Sequence, residues 1–256
     1  MSLAARLAAD EAVFTAWSSL PEPMTIEVLC QTAFDAVTLD MQHGGHGDDS
    51  VLRCMLPVIA AGKPGLVRIP VGRFDMASRA LDFGAEAVIA PMINSAADAR
   101  AFVAAMKFPP LGERSWGPTI GANRRRQGDM RAMLSGDNAR TMAFAMIETR
   151  RAYEALDDIL AVEGIDGIFV GPSDFSIAWS EGREVNASLE GMMGAVADIA
   201  ARARDAGKRA GIYLVDVSGA GRLSAMGYRL FAIGGEGRLM TAGAKLLVDQ
   251  ARGTFS

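Results

Sequence analysis

The run Ile168-Phe169-Val170 stops at Gly171-Pro172, and Ser173 and Asp174 follow at once. Three other apolar runs end on chemistry. One closes on Glu148, one carries Arg68 near its end, and one reaches Asp40 and continues through Gln42, His43 and His46. Glu148 and Asp174 are hard oxygen ligands that suit Mg²⁺ or Mn²⁺, with Co²⁺ or Zn²⁺ as further candidates. Two protein ligands leave room for water and a bidentate substrate. A 2-oxo acid is one, chelating through a carboxylate oxygen and its keto oxygen. A metal held there acts as a Lewis acid and lowers the cost of an enolate. Arg68 suits a developing oxyanion, and His43, close behind Asp40, suits proton traffic. In "GPSD", Gly171 permits close backbone approach and Pro172 fixes the turn. The amides of Ser173 and Asp174 are then free to donate to an anion.

Each residue alone has a plainer explanation. Asp40 can cap a turn, Arg68 can close a structural ion pair, Glu148 can oppose a helix dipole, and "GPSD" can be an ordinary turn. His46 is read as a surface loop residue. Acid, base, cation and a second acid converging on one rim favour a site. The four lysines, Lys63, Lys107, Lys208 and Lys245, fall away from that rim. An imine route needs an activated lysine in the site, so a metal enolate is favoured.

The elements that position these residues are short apolar runs at 12–17, 34–40, 65–70, 85–92, 142–148, 166–171, 210–216 and 228–235. Near-continuous apolar runs of that length read as strands buried on both faces. Amphipathic segments between them, such as 48–62 (with Pro57 as a bend point), 150–164 and 188–207, read as helices. Strand alternating with helix eight times in this length predicts a single-domain (β/α)8 barrel over 1–256. A doubly wound sheet fits less well, because no G-x-G-x-x-G follows the first strand. The segment 108–140 is long for a plain loop, which marks it as functional. Barrel chemistry lies at the C-terminal ends of the strands, where the residues above fall.

Net charge is −4 and the isoelectric point about 5.3, which gives no footprint for nucleic acid. Arg124-Arg125-Arg126 is read as a solvated face, and Cys30 and Cys54 as buried structural thiols. No signal-peptide pattern or membrane-length apolar run is seen, so a cytoplasmic protein is expected.

The segments "FDAVTLDMQHG", "LVRIP", "AVIAPMI", "PPLGERSWG", "AMIETRRAYEALDDILAVEGIDGIFVGPSDFS" and "AGIYLV" resemble, in order, the motifs of class II pyruvate aldolases. That is the family of 4-hydroxy-2-oxoheptanedioate and 2-dehydro-3-deoxyglucarate aldolases. The resemblance implies a barrel whose last helix is exchanged between subunits, in a hexamer. It implies a divalent metal on Glu148 and Asp174, Arg68 on the keto or enolate oxygen, and His43 paired with Asp40 as acid/base through water. The "GPSD" amides would hold the pyruvate carboxylate, Asp82 would reach a neighbouring subunit's site, and Trp17 would lie near the pocket. Two positions depart from the pattern. Met146 stands where members often carry Gln, and Gln42 where many carry Glu. With Trp116 and Phe175 nearby in sequence, Met146 suggests a less polar acceptor side. The implied reaction is reversible cleavage of 4-hydroxy-2-oxo acids to pyruvate and an aldehyde through a metal-bound enolate. Oxaloacetate decarboxylation, a citramalyl-CoA-type lyase (with Arg114 and the arginine run as candidate CoA contacts) and a non-catalytic 2-oxo acid binder are the rivals.

Overall fold

The computed structural model describes residues 1–125 and 129–255. In chain order the elements are α1 (Leu3–Ala8), β1 (Val13–Ser18), α2 (Pro23–Cys30), β2 (Ala36–Asp40), α3 (Asp48–Ala60), β3 (Gly65–Arg68), α4 (Asp75–Phe83), β4 (Ala87–Ala90) and α5 (Ala96–Met106). Then come α6 (Thr119–Arg124), α7 (Met130–Arg140), β5 (Met142–Ile147), α8 (Arg150–Glu154), α9 (Leu156–Leu160), β6 (Gly167–Val170), α10 (Pro172–Trp179) and α11 (Glu190–Asp205). The last are β7 (Arg209–Tyr213), α12 (Ala220–Met226), β8 (Leu230–Gly234) and α13 (Glu236–Gly253). The strands close in sequence order into a barrel, β1 pairing with both β2 and β8, and every pair is parallel.

Side chains alternate across each strand, and the alternation sorts the apolar residues into two cores. Val37, Leu39, Val67, Val88, Ile147, Ile168 and Ile212 face outward against the helices. Val13, Ala36, Leu66, Ala87, Met142, Phe144, Phe169 and Leu230 fill the barrel, and Leu3 and Leu7 of α1 join them to plug its N-terminal mouth. Three aromatic rings inside are accommodated by glycines on the following strand. A Cβ on Gly167 would lie 2.5 Å from Phe144, one on Gly211 2.7 Å from Phe169, and one on Gly234 2.3 Å from the Tyr213 hydroxyl.

The predicted eight strands are found. The predicted helix over 150–164 is two short helices, α8 and α9, meeting at Ala155. Segment 108–140 is not one long loop but carries α6 and α7. The arginine run is not a solvated face where it is described. Arg124 Nη1 donates to the Phe83 carbonyl at 3.1 Å and Arg125 to the Gly84 carbonyl, covering the C-terminal end of α4. Cations there satisfy the orphan carbonyls of a helix end. Arg126 lies outside the described residues. Cys30 and Cys54 are buried free thiols, as expected. No described helix is long and apolar enough to cross a membrane.

Candidate active site

The inward-facing rows of the strands continue upward into the site. Above Val13 and Thr15 stands Trp17; above Ala36 and Thr38, Asp40; above Leu66, Arg68. Above Phe144 stand Met146 and then Glu148; above Phe169, Gly171; above Gly211, Tyr213. Trp17, Asp40, Arg68, Met146, Phe169, Gly171, Pro172, Ser173, Asp174 and Tyr213, with Ser19 and His43 from the loops, line one cleft of about 260 Å³ at the C-terminal mouth. Period-two alternation therefore puts the chemistry of six strands on one floor.

Arg68 and Asp40 form its centre. Arg68 Nε donates to Asp40 Oδ1 at 2.8 Å and Nη2 to Oδ2 at 2.6 Å, a two-pronged ion pair with side chains 11% and 3% exposed. Trp17 Nε1 donates to Oδ2 at 3.2 Å, and the amides of Gln42 and His43 donate to Oδ1 at 3.0 and 3.3 Å. Burial pushes the Asp40 carboxyl up, but these bonds and the Arg68 charge outweigh it and hold it below its ordinary value. The guanidinium also lies over the Trp17 ring, 4.8 Å from its centroid. Among the described residues Nη1 of Arg68 makes no hydrogen bond, so that edge is left for a ligand.

Glu148 is 3% exposed. Its Oε1 accepts the Met92 amide at 2.8 Å, and its Oε2 lies against Gly171, where a Cβ would come within 2.6 Å. This is the close approach that Gly171 permits. Burial pushes the Glu148 carboxyl up to about 7; the Met92 amide opposes this and the Asp174 charge adds to it. Asp174 is exposed at the first turn of α10, with Gly171 as N-cap and Pro172 opening the helix. Neither carboxylate has an ion-pair partner among the described residues. Two neighbouring acids with no direct ion-pair partner, one of them buried and eased only by the more distant Arg68 charge, are a poor arrangement for a metal-free protein and a good one for a divalent cation. The residues therefore fit the expected metal. Among the described residues no group of three or more His, Cys, Asp or Glu is placed to hold a metal ion.

The HpcH/HpaI aldolase/citrate lyase family profile matches residues 14–242. The chain belongs to that family. A hydroxypyruvate/pyruvate aldolase of Rhizorhabdus wittichii is 32% identical over 236 residues, 92% of each chain. A 5-keto-4-deoxy-D-glucarate aldolase of Salmonella arizonae is 30% identical over 95% of this chain and 93% of its own. The crystal structure of an HpcH/HpaI aldolase/citrate lyase family protein from Burkholderia cenocepacia superposes with a TM-score of 0.86 at 26% identity, covering 98% of both chains. The present chain is a carbon–carbon lyase of the class II pyruvate aldolase type.

In this aldolase the residues singled out in the sequence divide. Trp17, Asp40, His43, Arg68, Gly171, Pro172, Ser173 and Asp174 meet in the cleft, and Glu148 sits behind it. His43 joins Asp40 through its backbone amide; its imidazole is exposed and makes no hydrogen bond among the described residues, and the Asp40 carboxylate is paired with Arg68. His46 is not a surface residue. It is 5% exposed, with Nε2 3.0 Å from Ser18 Oγ and Nδ1 3.4 Å from Ser50 Oγ. Two hydroxyls satisfy both ring nitrogens, which makes burial tolerable. Asp82 lies at the other end of the barrel, on α4, paired with Arg114 at 2.7 Å. Arg114 is 4% exposed and held by Asp82 and Asp137, so it does not stand at the cleft mouth as a CoA contact would. Phe175 and Trp116 are also outside. Phe175 is fully buried against Trp179, and Trp116 packs on Phe108. The apolar wall is instead Trp17, Met146, Phe169 and Tyr213.

Phe169, Tyr213 and Glu236 escaped sequence reasoning. Phe169 and Tyr213 were legible as the inward row ending beside Gly171 and above Gly211. Glu236, 3% exposed, accepts the amides of Ser19 and Leu20 at 3.0 and 3.4 Å and so fixes the loop that carries Ser19. It gives no local signal, because its partners lie over 200 residues away.

The lysines are as remote as expected. Lys107 is buried on the carbonyls of Asn138 and Thr141 and on Asp166, Lys63 and Lys208 bind loop carbonyls, and Lys245 pairs with Asp249 on α13.

Proposed function

We propose that this chain cleaves 4-hydroxy-2-oxo acids reversibly to pyruvate and an aldehyde, with a divalent cation, Mg²⁺ or Mn²⁺, held by Glu148 and Asp174. The observation that carries this reading is the pair of acids with no direct ion-pair partner beside an arginine with a free edge. When bound, the cation supplies Lewis-acid stabilisation of the substrate's oxygens. Asp40 fixes the Nε/Nη2 edge of Arg68, leaving Nη1 to donate to the keto oxygen as negative charge grows there. The amides of Ser173 and Asp174, in the first turn of α10 where helix N–H groups lack intrahelical partners, receive the substrate carboxylate. His43, exposed in the cleft, takes the 4-hydroxyl proton, directly or through water, as the C3–C4 bond breaks. The electron pair of that bond goes to C3, which a proton then caps to give the pyruvate methyl. Trp17, Met146, Phe169 and Tyr213 present an apolar wall, which favours apolar aldehydes over hydroxylated ones.

The oligomer belongs to the same reading. Met240, Leu246, Leu247 and Val248 of α13 are 46–69% exposed. An open apolar groove of about 830 Å³, lined by Phe14, Val28, Leu29, Phe34 and Ile233, lies over β1 and β8, where a final barrel helix would pack. A partner's α13 fills that groove in a hexamer, and Asp82 serves a neighbouring subunit's cleft.

The test is cleavage of 4-hydroxy-2-oxo acids, with pyruvate release followed by a coupled dehydrogenase. Turnover that requires Mn²⁺ or Mg²⁺ and vanishes in Glu148→Gln/Asp174→Asn is expected. Equal turnover by that double variant, or cleavage of acyl-CoA thioesters alone, would contradict the proposal.

A further inference from the structure

Among the described residues three that are not glycine have left-handed backbone: Asp10 (φ 60°), Glu181 (φ 56°) and Met92 (φ 55°). Asp10 and Glu181 follow α1 and α10, where such a residue is a common way to end a helix. Met92 follows strand β4, and no helix end explains it. Left-handed residues outside such turns cluster at functional sites. Its hydrogen bonds show what the conformation achieves. The Met92 amide donates to Glu148 Oε1 at 2.8 Å, and its carbonyl accepts Asn94 Nδ2 at 2.9 Å. Asn94 Oδ1 accepts the Thr149 hydroxyl. Thr149 is the covalent neighbour of Glu148 and caps α8 by accepting the Ala152 amide at 3.0 Å. The bonds close a ring: Glu148, Met92, Asn94, Thr149 and back through the chain to Glu148. The Asn94 end is anchored from behind by Asp98, whose Oδ2 accepts the Asn94 amide at 3.1 Å and the Ser95 hydroxyl at 2.8 Å.

The ring leaves the two Glu148 oxygens unequal. Oε1 is tied to Met92, while Oε2 lies against Gly171. We propose that Asn94 is a positioning residue for the metal centre: by bridging the Met92 carbonyl and the Thr149 hydroxyl it holds the Met92 peptide so that Glu148 presents Oε2 to the cation. This rests on reading Glu148 as a metal ligand. Partners that orient metal ligands typically change metal affinity by about 10–100-fold when lost. Asn94 touches neither substrate nor cation in this scheme, so its effect appears in metal binding before it appears in turnover.

The experiment measures Mn²⁺ binding by titration calorimetry and by the electron paramagnetic resonance signal of free Mn²⁺, with melting temperature alongside. Wild type, Asn94→Ala and Met92→Gly are compared; Asn94→Leu, closer in volume, replaces the alanine variant should that fail to fold. Loss of the bridge is expected to weaken Mn²⁺ binding about tenfold or more with little change in melting temperature. Met92→Gly keeps the amide and adopts the left-handed form freely, so its affinity is expected within about threefold of wild type. Excess Mn²⁺ is expected to restore turnover in Asn94→Ala. Wild type that binds no Mn²⁺ overturns the metal reading of Glu148. Wild-type binding with Asn94→Ala within about twofold overturns the role of Asn94 alone.

Discussion

Arg68 has two duties that substitution can separate. It is the counter-charge of the buried Asp40, and its free edge faces the substrate. Arg68→Ala removes the bonds of 2.8 and 2.6 Å but leaves Asp40 three donors, from Trp17 and the Gln42 and His43 amides. Breaking a buried pair costs about 3–5 kcal/mol, and the remaining donors place this variant near about 3 kcal/mol. Losing the oxyanion contact lowers kcat by about 10²–10³-fold, equivalent to about 2.7–4 kcal/mol. Arg68→Lys keeps the charge but not the fork. It is expected to lose about 1–2 kcal/mol of stability and still about 10²-fold in kcat. The stability difference also has a pH signature. In wild type the Asp40 carboxyl is held below its unfolded value, so its contribution is present above pH about 4 and is lost as pH falls through the lower folded value. In Arg68→Ala burial remains and the main opposing influence is gone, which raises the carboxyl relative to wild type. The variant's deficit therefore shrinks as pH falls. Urea unfolding of metal-free protein at several pH values, paired with pyruvate-release kinetics, reads both duties. Wild-type turnover in Arg68→Lys, or unchanged stability of Arg68→Ala at pH about 7, would refute the reasoning.

Gly171→Ala places a methyl 2.6 Å from Glu148 Oε2, and Mn²⁺ titration is expected to show affinity reduced about tenfold or more. Unaltered affinity would mean that Oε2 is not the ligand atom. With the Glu148 carboxyl at about 7, proton and cation compete, and Mn²⁺ affinity is expected to fall about tenfold per pH unit below that value and to level off above it. For the metal-free protein the sign is opposite to that of Asp40. A carboxyl raised in the folded state makes stability decline as pH climbs from its ordinary range through about 7, which thermal unfolding with and without Mn²⁺ will show. Cys30 and Cys54 are buried, and burial pushes the Cys54 thiol up to about 11, so native protein at pH about 8 is expected to resist a thiol-disulfide reagent that labels both thiols in urea. Removing α13 beyond Leu239 is expected to leave smaller assemblies by light scattering; an unchanged mass would place the subunit interface elsewhere.

The barrel was legible because each strand is buried on both faces, so each wrote a short apolar run bounded by turns. The site was legible for the same reason: Asp40, Arg68, Glu148 and Gly171 are where an inward row turns polar or disappears at the top of its strand. What the sequence hid were partners distant along the chain. His46 looks like a loop histidine until Ser18 and Ser50 are seen beside it. Arg114 looks like a candidate contact for CoA, and Arg124 and Arg125 like solvated charge, until Asp82, Asp137 and the carbonyls at the end of α4 are found beneath them. The family resemblance implied that His43 is paired with Asp40. The backbone turns so that His43 offers its amide, and Arg68, arriving from the next strand in register with Asp40, takes the carboxylate. Phe175 follows Asp174 in sequence, but on α10 it falls on the face buried under Trp179.

The most direct test of enolate chemistry in this cleft follows the methyl protons of pyruvate by NMR in D₂O. It requires no choice of aldehyde. With Mn²⁺ or Mg²⁺ present, loss of the methyl signal is expected from wild type and not from Glu148→Gln/Asp174→Asn. A folded, metal-loaded wild type that leaves the methyl protons in place would contradict the enolate assignment.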